Sequence, residues 1–220
     1  MRSLLLLLPF MLAFTAPIKP KRVIFFGDSI TEAGARPGGY ITKMQEILTK
    51  QNRAADYELI GKGISGNKVY DLYLRLEDDV LALKPDVVVI YIGVNDVWHK
   101  SSLGTGTDAP KFVQFYEALI RKIRAGGSQV ILCTPACIGE RTDHSNEQDG
   151  DLNAYSTLIR DLATQKSLPL IDLRKAFLDY NLKNNANNKD RGILTMDRVH
   201  LNEMGNQFVA GQMLAALEGR

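Results

Sequence analysis

Val23-Ile24-Phe25-Phe26-Gly27-Asp28-Ser29-Ile30-Thr31 is the stretch from which the fold is read. Four consecutive Val, Ile and Phe residues stop at a glycine, an acid and a serine. An unbroken apolar run of that length suits a strand covered on both faces, as in a parallel sheet. Such sheets hold their ligands at the carboxyl ends of the strands, so Ser29 is delivered where chemistry is expected. Gly27 allows a tight bend, and the amides after it point out of a helix start towards any nearby negative charge. Asp28, Ser29 and Thr31 are equally the residue types that cap helices, so this stretch alone leaves both readings standing.

Outward from it, the same pattern recurs. Strands are expected at 57–60, 87–92, 129–133 and 169–173, the second of these being the clearest central strand. Helices are expected at 40–51, 69–83, 109–124, 151–165, from the fifth strand to about 182, and at 202–217. Residues 98–110 read as an irregular binding loop, and 139–150 and 184–188 as polar loops. Strand and helix alternate about five times, which predicts an α/β fold with a five-stranded parallel sheet between two helical layers. Right-handed crossovers put every strand-ending turn on one edge. The turns carrying Ser29, Gly63 (in Gly61-Lys62-Gly63-Ile64-Ser65-Gly66-Asn67) and Asn95 (in Gly93-Val94-Asn95-Asp96) therefore share a rim.

Composition narrows the class. The chain has 220 residues, 45% of them hydrophobic, enough for one globular domain with a full core. With 27 basic and 25 acidic residues its net charge is +2, which argues against a nucleic-acid partner, since that would want a concentrated basic face. Met1-Arg2-Ser3 followed by a leucine-rich run has the order of a secretory signal and is short for a membrane span. Residues 1–19 are assigned to that signal, with a cut expected near Ala13 to Ala16, and 20–220 to one globular domain. An exported protein, periplasmic or extracellular and without stable membrane insertion, is expected. Cys133 and Cys137 flank Thr-Pro-Ala, a spacing that suits free buried thiols better than a disulfide. No metal-ligand spacing is visible.

A serine hydroxyl is a poor nucleophile until a base takes its proton, and the usual base is a histidine oriented by a carboxylate. There are three histidines. His200 has Asp197 three residues before it, about one turn of chain, so the carboxylate can fold back onto Nδ1 and leave Nε2 for Ser29. His99, after the third strand, is the competing base, and His144 lies in a polar loop. An Asp-x-x-His pair also suits a surface turn or cap. Acyl transfer further needs donors for an oxyanion, and the N–H groups of Ser29 and Gly63 and the side-chain amide of Asn95 could supply three. A side chain at position 63 would obstruct a substrate carbonyl approaching that amide. Asn95 could equally close an Asx turn.

Taken together, Gly27-Asp28-Ser29-Ile30, Gly63-x-Ser65-Gly66, Gly93-Val94-Asn95-Asp96 and Asp197-x-x-His200, in this order, resemble the four blocks of the SGNH (GDSL) hydrolase family. The resemblance implies a flavodoxin-like fold, a Ser29, Asp197 and His200 triad, an oxyanion hole from Ser29, Gly63 and Asn95, and no metal or cofactor. Within the family, Lys62-Gly63-Ile64-Ser65-Gly66-Asn67, the run from Val94 to Trp98 and Asp197-Arg198-Val199-His200 are most similar to bacterial acetylxylan or oligosaccharide acetylesterases. That implies a serine esterase removing acetyl groups from a carbohydrate. Trp98 could stack on a sugar face, although a lone Trp beside a strand end equally suits packing. Three departures stand out: Gly61 where an Asn often precedes the second block, Met196 where those esterases tend to carry a Trp, and Leu201 for a frequent Pro. Alternative readings are a lysophospholipase or thioesterase with the same triad, and a non-catalytic anion-binding module. The expected partner is a small-molecule or oligosaccharide ester, with oligomerisation left open.

Overall fold

The computed structural model describes residues 19–219. The stretch assigned to the export signal therefore lies, except for Lys19, outside the described residues. Strand β1 (Lys21–Gly27) buries Val23 to Phe26 completely, because neighbouring strands flank it and helices cover both its faces. β2 (Tyr57–Gly63), β3 (Val87–Tyr91), β4 (Gln129–Cys133) and β5 (Leu170–Ile171) complete one sheet in the order β2-β1-β3-β4-β5, every pairing parallel. This is the flavodoxin-like order, with a switch in direction between β1 and β3. Gly27 stands in register with both Gly63 and Tyr91. The carboxyl ends of β1, β2 and β3 are therefore level.

Helices α1 (Ser29–Gly34), α2 (Tyr40–Lys50), α3 (Val69–Leu74) and α4 (Leu76–Asp79) follow in the first half. Beyond β3 come α5 (Val94–Ser102), α6 (Ala109–Ala125), α7 (Asp149–Gln165), α8 (Leu173–Asn184) and α9 (Glu203–Leu217). α2 packs on α9, and α3 and α7 pack on α6, which gives the two helical layers. Cys133 and Cys137 are free and buried. No helix among the described residues is long and apolar enough to cross a membrane.

Four local expectations are corrected. β2 does not stop at Ile60 but runs on to Gly63, because Gly61 and Gly63 are there for close packing rather than for a turn. A Cβ on Gly61 would meet Ala35 Cβ at 2.7 Å, and one on Gly63 would meet the backbone nitrogen of Glu32 at 2.0 Å. The helix expected over 69–83 is broken at Arg75 and Val80 into α3, α4 and a short 3-10 turn, and ends at Lys84 in the left-handed region (φ 47°). The irregular loop expected from Trp98 is helical as far as Ser102, where the hydroxyls of Ser101 and Ser102 donate to the Trp98 carbonyl (3.2 and 2.8 Å). Its remainder is pinned, with Thr105 N bonded to His99 O (3.1 Å) and Thr107 N to Asp96 O (3.3 Å). β5 keeps only Leu170 and Ile171 of the five residues 169–173 assigned to it, with Leu173 already in α8.

Candidate active site

Ser29 opens α1 immediately beyond β1. Gly27 is obligatory there, since a Cβ would strike Thr31 Oγ1 and the Tyr91 carbonyl, each at 2.4 Å. Asp28 caps the helix by accepting the Ile30 amide (3.0 Å), the usual task of an aspartate at that position. It is also 1% exposed, and burial pushes its carboxyl up to about 7 against the pull of the Ile30 amide, with the Asp96 charge adding to the rise. Below the serine, Thr31 and Tyr40 share a hydroxyl contact of 3.1 Å, and the Tyr40 ring meets Phe25 and Tyr91 edge-on. The half-buried serine thus stands on a packed floor.

His200 comes from the loop before α9. Its Nε2 lies 2.9 Å from Ser29 Oγ across 171 residues of chain, and its Nδ1 lies 2.7 Å from Asp197 Oδ2. Asp197 uses its other oxygen on the backbone, accepting the amides of Val199 (3.1 Å) and His200 (2.7 Å). Burial alone would raise this carboxyl, but the His200 amide and imidazole and the Val199 amide outweigh it and hold it below the usual range. Asp197 therefore stays charged, accepts Nδ1–H, and leaves Nε2 with a lone pair towards the hydroxyl. The turn needs a left-handed residue, and Arg198 supplies it at φ 87°.

That turn is held from outside by a residue that sequence reading passed over. Glu140, 1% exposed, accepts three successive backbone amides: Ile193 (2.8 Å), Leu194 (2.6 Å) and Thr195 (2.8 Å). The Gly139 amide donates to the Arg198 carbonyl (2.9 Å), and Thr195 bridges to Leu201 across the base of the loop. An acid inside an expected polar loop carries no local sign of this task, because all its partners are more than fifty residues away.

On the opposite flank, Gly63 ends β2 beside β1. The crowding against Glu32 and the Asp28 carbonyl explains this glycine, so substrate access is not the reason that a side chain is excluded. Ser65 is tied to α1 through Glu32, which accepts both its amide (2.8 Å) and its hydroxyl (2.6 Å). Asn95 lies in the first turn of α5, 2% exposed, after Gly93 at φ 128°. Its amide nitrogen donates one hydrogen to the Asn67 carbonyl (3.1 Å), which leaves the second for a ligand. Trp98, one turn further along, presents its ring to that of His200 at 6.4 Å and 66°. His99 rests against Trp98 at 5.7 Å and is half-buried; His144 is exposed at φ 65°. The imidazole that meets Ser29 is that of His200. Among the described residues, no group of three or more His, Cys, Asp and Glu side chains could hold a metal ion.

A hydroxyl bonded to an imidazole that is in turn bonded to a carboxylate, with amide donors on the same rim, is an arrangement for transferring acyl groups. Residues 25–208 match the GDSL-like lipase/acylhydrolase family. An acetylxylan esterase of Geobacillus stearothermophilus is 31% identical over 212 residues, covering 88% of this chain and 92% of that protein. The crystal structure of an acetyl xylan esterase superposes with a TM-score of 0.88 at 66% identity, over 89% of this chain and 99% of that one. Catalytic mutants of an acetylxylan esterase from Geobacillus stearothermophilus, with a serine, an aspartate or a histidine changed to alanine, match at TM-score 0.78 and 27% identity. Each covers 92% of this chain and 96% of its own.

Proposed function

This chain belongs to the GDSL-like lipase/acylhydrolase family, and from that premise we propose that it is a serine esterase removing acetyl groups from a carbohydrate. The observation that carries the reading is the hydrogen-bonded series from Ser29 Oγ through His200 to Asp197. Ser29 Oγ attacks the acetyl carbonyl while its proton passes to His200 Nε2. Asp197 fixes the imidazole and stabilises its charged form. The N–H groups of Ser29 and Gly63 and the Asn95 amide receive the oxyanion. Collapse of the tetrahedral intermediate expels the sugar alkoxide, which takes the proton from His200. Water, deprotonated by the same imidazole, then releases acetate and restores Ser29.

Trp98, its ring 6.4 Å from that of His200, is the aromatic side chain placed to stack on a sugar bound beside the imidazole. Export, with residues 1–19 as the signal and 20–220 as the hydrolase domain, rests on the order of charged and apolar residues at the start of the chain. The decisive experiment replaces Ser29 by alanine and measures hydrolysis of p-nitrophenyl acetate and acetate release from acetylated xylan. A loss on the order of 10⁴-fold or more in kcat is expected, and wild-type rates in the variant would falsify the mechanism. Acetyl should be preferred steeply over octanoyl esters, and the reverse order would move the substrate to a lipid-like acyl ester.

A further inference from the structure

Arg75 stands between α3 and α4, far from the reacting atoms in sequence, yet every one of its five N–H groups is bonded around the rim. Nη2 donates to the carbonyls of Gly27 (2.7 Å) and Lys62 (3.2 Å). Nη1 donates to Lys62 O (3.3 Å) and Asp79 Oδ2 (2.6 Å), and Nε to Asn67 Oδ1 (2.8 Å). The guanidinium carbon lies 4.5 Å from the centre of the Phe26 ring, and the side chain is 14% exposed. Three of these acceptors adjoin the candidate oxyanion donors. Lys62 O belongs to the peptide unit whose N–H is that of Gly63. Gly27 O ends the strand that leads to Ser29 and also accepts the Ile64 amide (3.3 Å). Asn67 supplies the carbonyl that anchors Asn95.

We propose that Arg75 is a positioning residue for the oxyanion hole, a role that rests on the esterase reading above. A peptide unit is planar, so pinning the Lys62 carbonyl fixes the direction of the Gly63 N–H, and a cation on that carbonyl polarises the same N–H. Through Asn67 the same guanidinium orients the segment to which the Asn95 amide is bonded. The fork is what matters: an ammonium has three donors and no plane, and cannot meet four acceptors at once.

The test compares Arg75→Lys, Arg75→Met and Asp79→Asn with wild type. Both Arg75 variants should lose about 10- to 100-fold in kcat on p-nitrophenyl acetate, since donors are displaced rather than deleted. KM should stay within about threefold. Affinity for a methylboronic acid, whose tetrahedral adduct mimics the intermediate, should fall in parallel with kcat/KM, and affinity for free acetate should not. Asp79→Asn removes the ion pairs to Arg75 (2.6 Å) and Lys62 (3.3 Å) while keeping an amide oxygen as acceptor, and should leave kcat within about twofold. The Arg75→Met, Asn95→Ala double variant should lose less than the product of the single losses. If Arg75→Met does not fold, Asn67→Ala carries the test, with an expected kcat loss of about three- to tenfold. Wild-type kcat in folded Arg75→Lys, or a loss confined to thermal stability, overturns the role of Arg75 alone. No Ser29-dependent turnover in the wild type removes the esterase reading with it.

Discussion

The serine flank and the histidine flank of the site are built by different means. Ser29 stands at the end of a strand buried from Val23 to Gly27, on a floor of Phe25, Tyr40 and Tyr91, with Gly27 and Gly63 letting backbones approach to contact distance. Asp197 and His200 belong to a stretch with no regular strand or helix, held by Glu140, by the Asp197 carboxylate and by single backbone bonds. Packing forces are many, short-ranged and individually small; hydrogen bonds to a buried carboxylate are few and individually large. The nucleophile's place is thus shared among many residues, whereas the base's place depends on two acids. A single polar substitution should disturb the second flank more than a single apolar one disturbs the first.

Asp197→Asn puts that contrast to its strongest test. The asparagine oxygen can keep the Val199 and His200 amides, but its NH₂ then faces Nδ1 and selects the wrong imidazole tautomer. A fall in kcat of about 10³- to 10⁴-fold is expected, with the fold retained. Near-normal turnover in a folded variant would show that the backbone alone orients the base.

Glu140→Gln probes the support rather than the acid itself. A glutamine cannot accept from Ile193, Leu194 and Thr195 together, so one buried N–H is opposed, at about 1–3 kcal/mol. Unfolding should shift down by roughly 2–10 °C and kcat should fall several-fold. Ile24→Val, a deletion on the serine flank costing about 0.5–1.5 kcal/mol, should leave kcat unchanged. Equal loss of kcat in the two variants would erase the distinction between the flanks.

The smallest effect concerns Asp28, which the floor holds without a salt bridge. Burial raises its carboxyl from 3.8 to about 7, so the folded chain binds that proton more tightly than the unfolded one. The stability this group contributes is complete below about pH 4 and is lost as pH rises through about 7. Asp96, raised by burial to about 6, acts in the same direction. Asp28→Asn keeps the cap, because asparagine ranks with aspartate there. Urea midpoints should therefore decline less between pH 5 and pH 8 in the variant than in the wild type. Parallel declines would assign the pH dependence to other groups.

Where sequence reading failed, it failed on contacts. Glycines at 61 and 63 read as a turn, although they mark where α1 lies against β2. The Gly/Ser/Thr-rich stretch after Trp98 read as loose, although Ser101 and Ser102 cap their own helical turn and Gly106 packs against Lys100 and the Asp96 carbonyl. Arg75 read only as one residue of the helix expected over 69–83, since its acceptors at Gly27 and Lys62 are 48 and 13 residues away.

From its sequence this protein declares a parallel α/β sheet, the rim on which polar turns gather, and the serine, histidine and acid types that a hydrolase of its family requires. The sheet and its rim follow from apolar periodicity and the Asp197–His200 pairing from a short spacing, both carried locally by the chain, while the family's residue types are read from the resemblance of short motifs. The tertiary structure alone decided that the Ser29 hydroxyl and the His200 imidazole stand within hydrogen-bonding distance, that Glu140 holds the second flank, and that Arg75 gathers the carbonyls behind the rim. Such bonds join atoms tens of residues apart, and their existence depends on the register of strands and the closeness of backbones, which no local pattern of letters records.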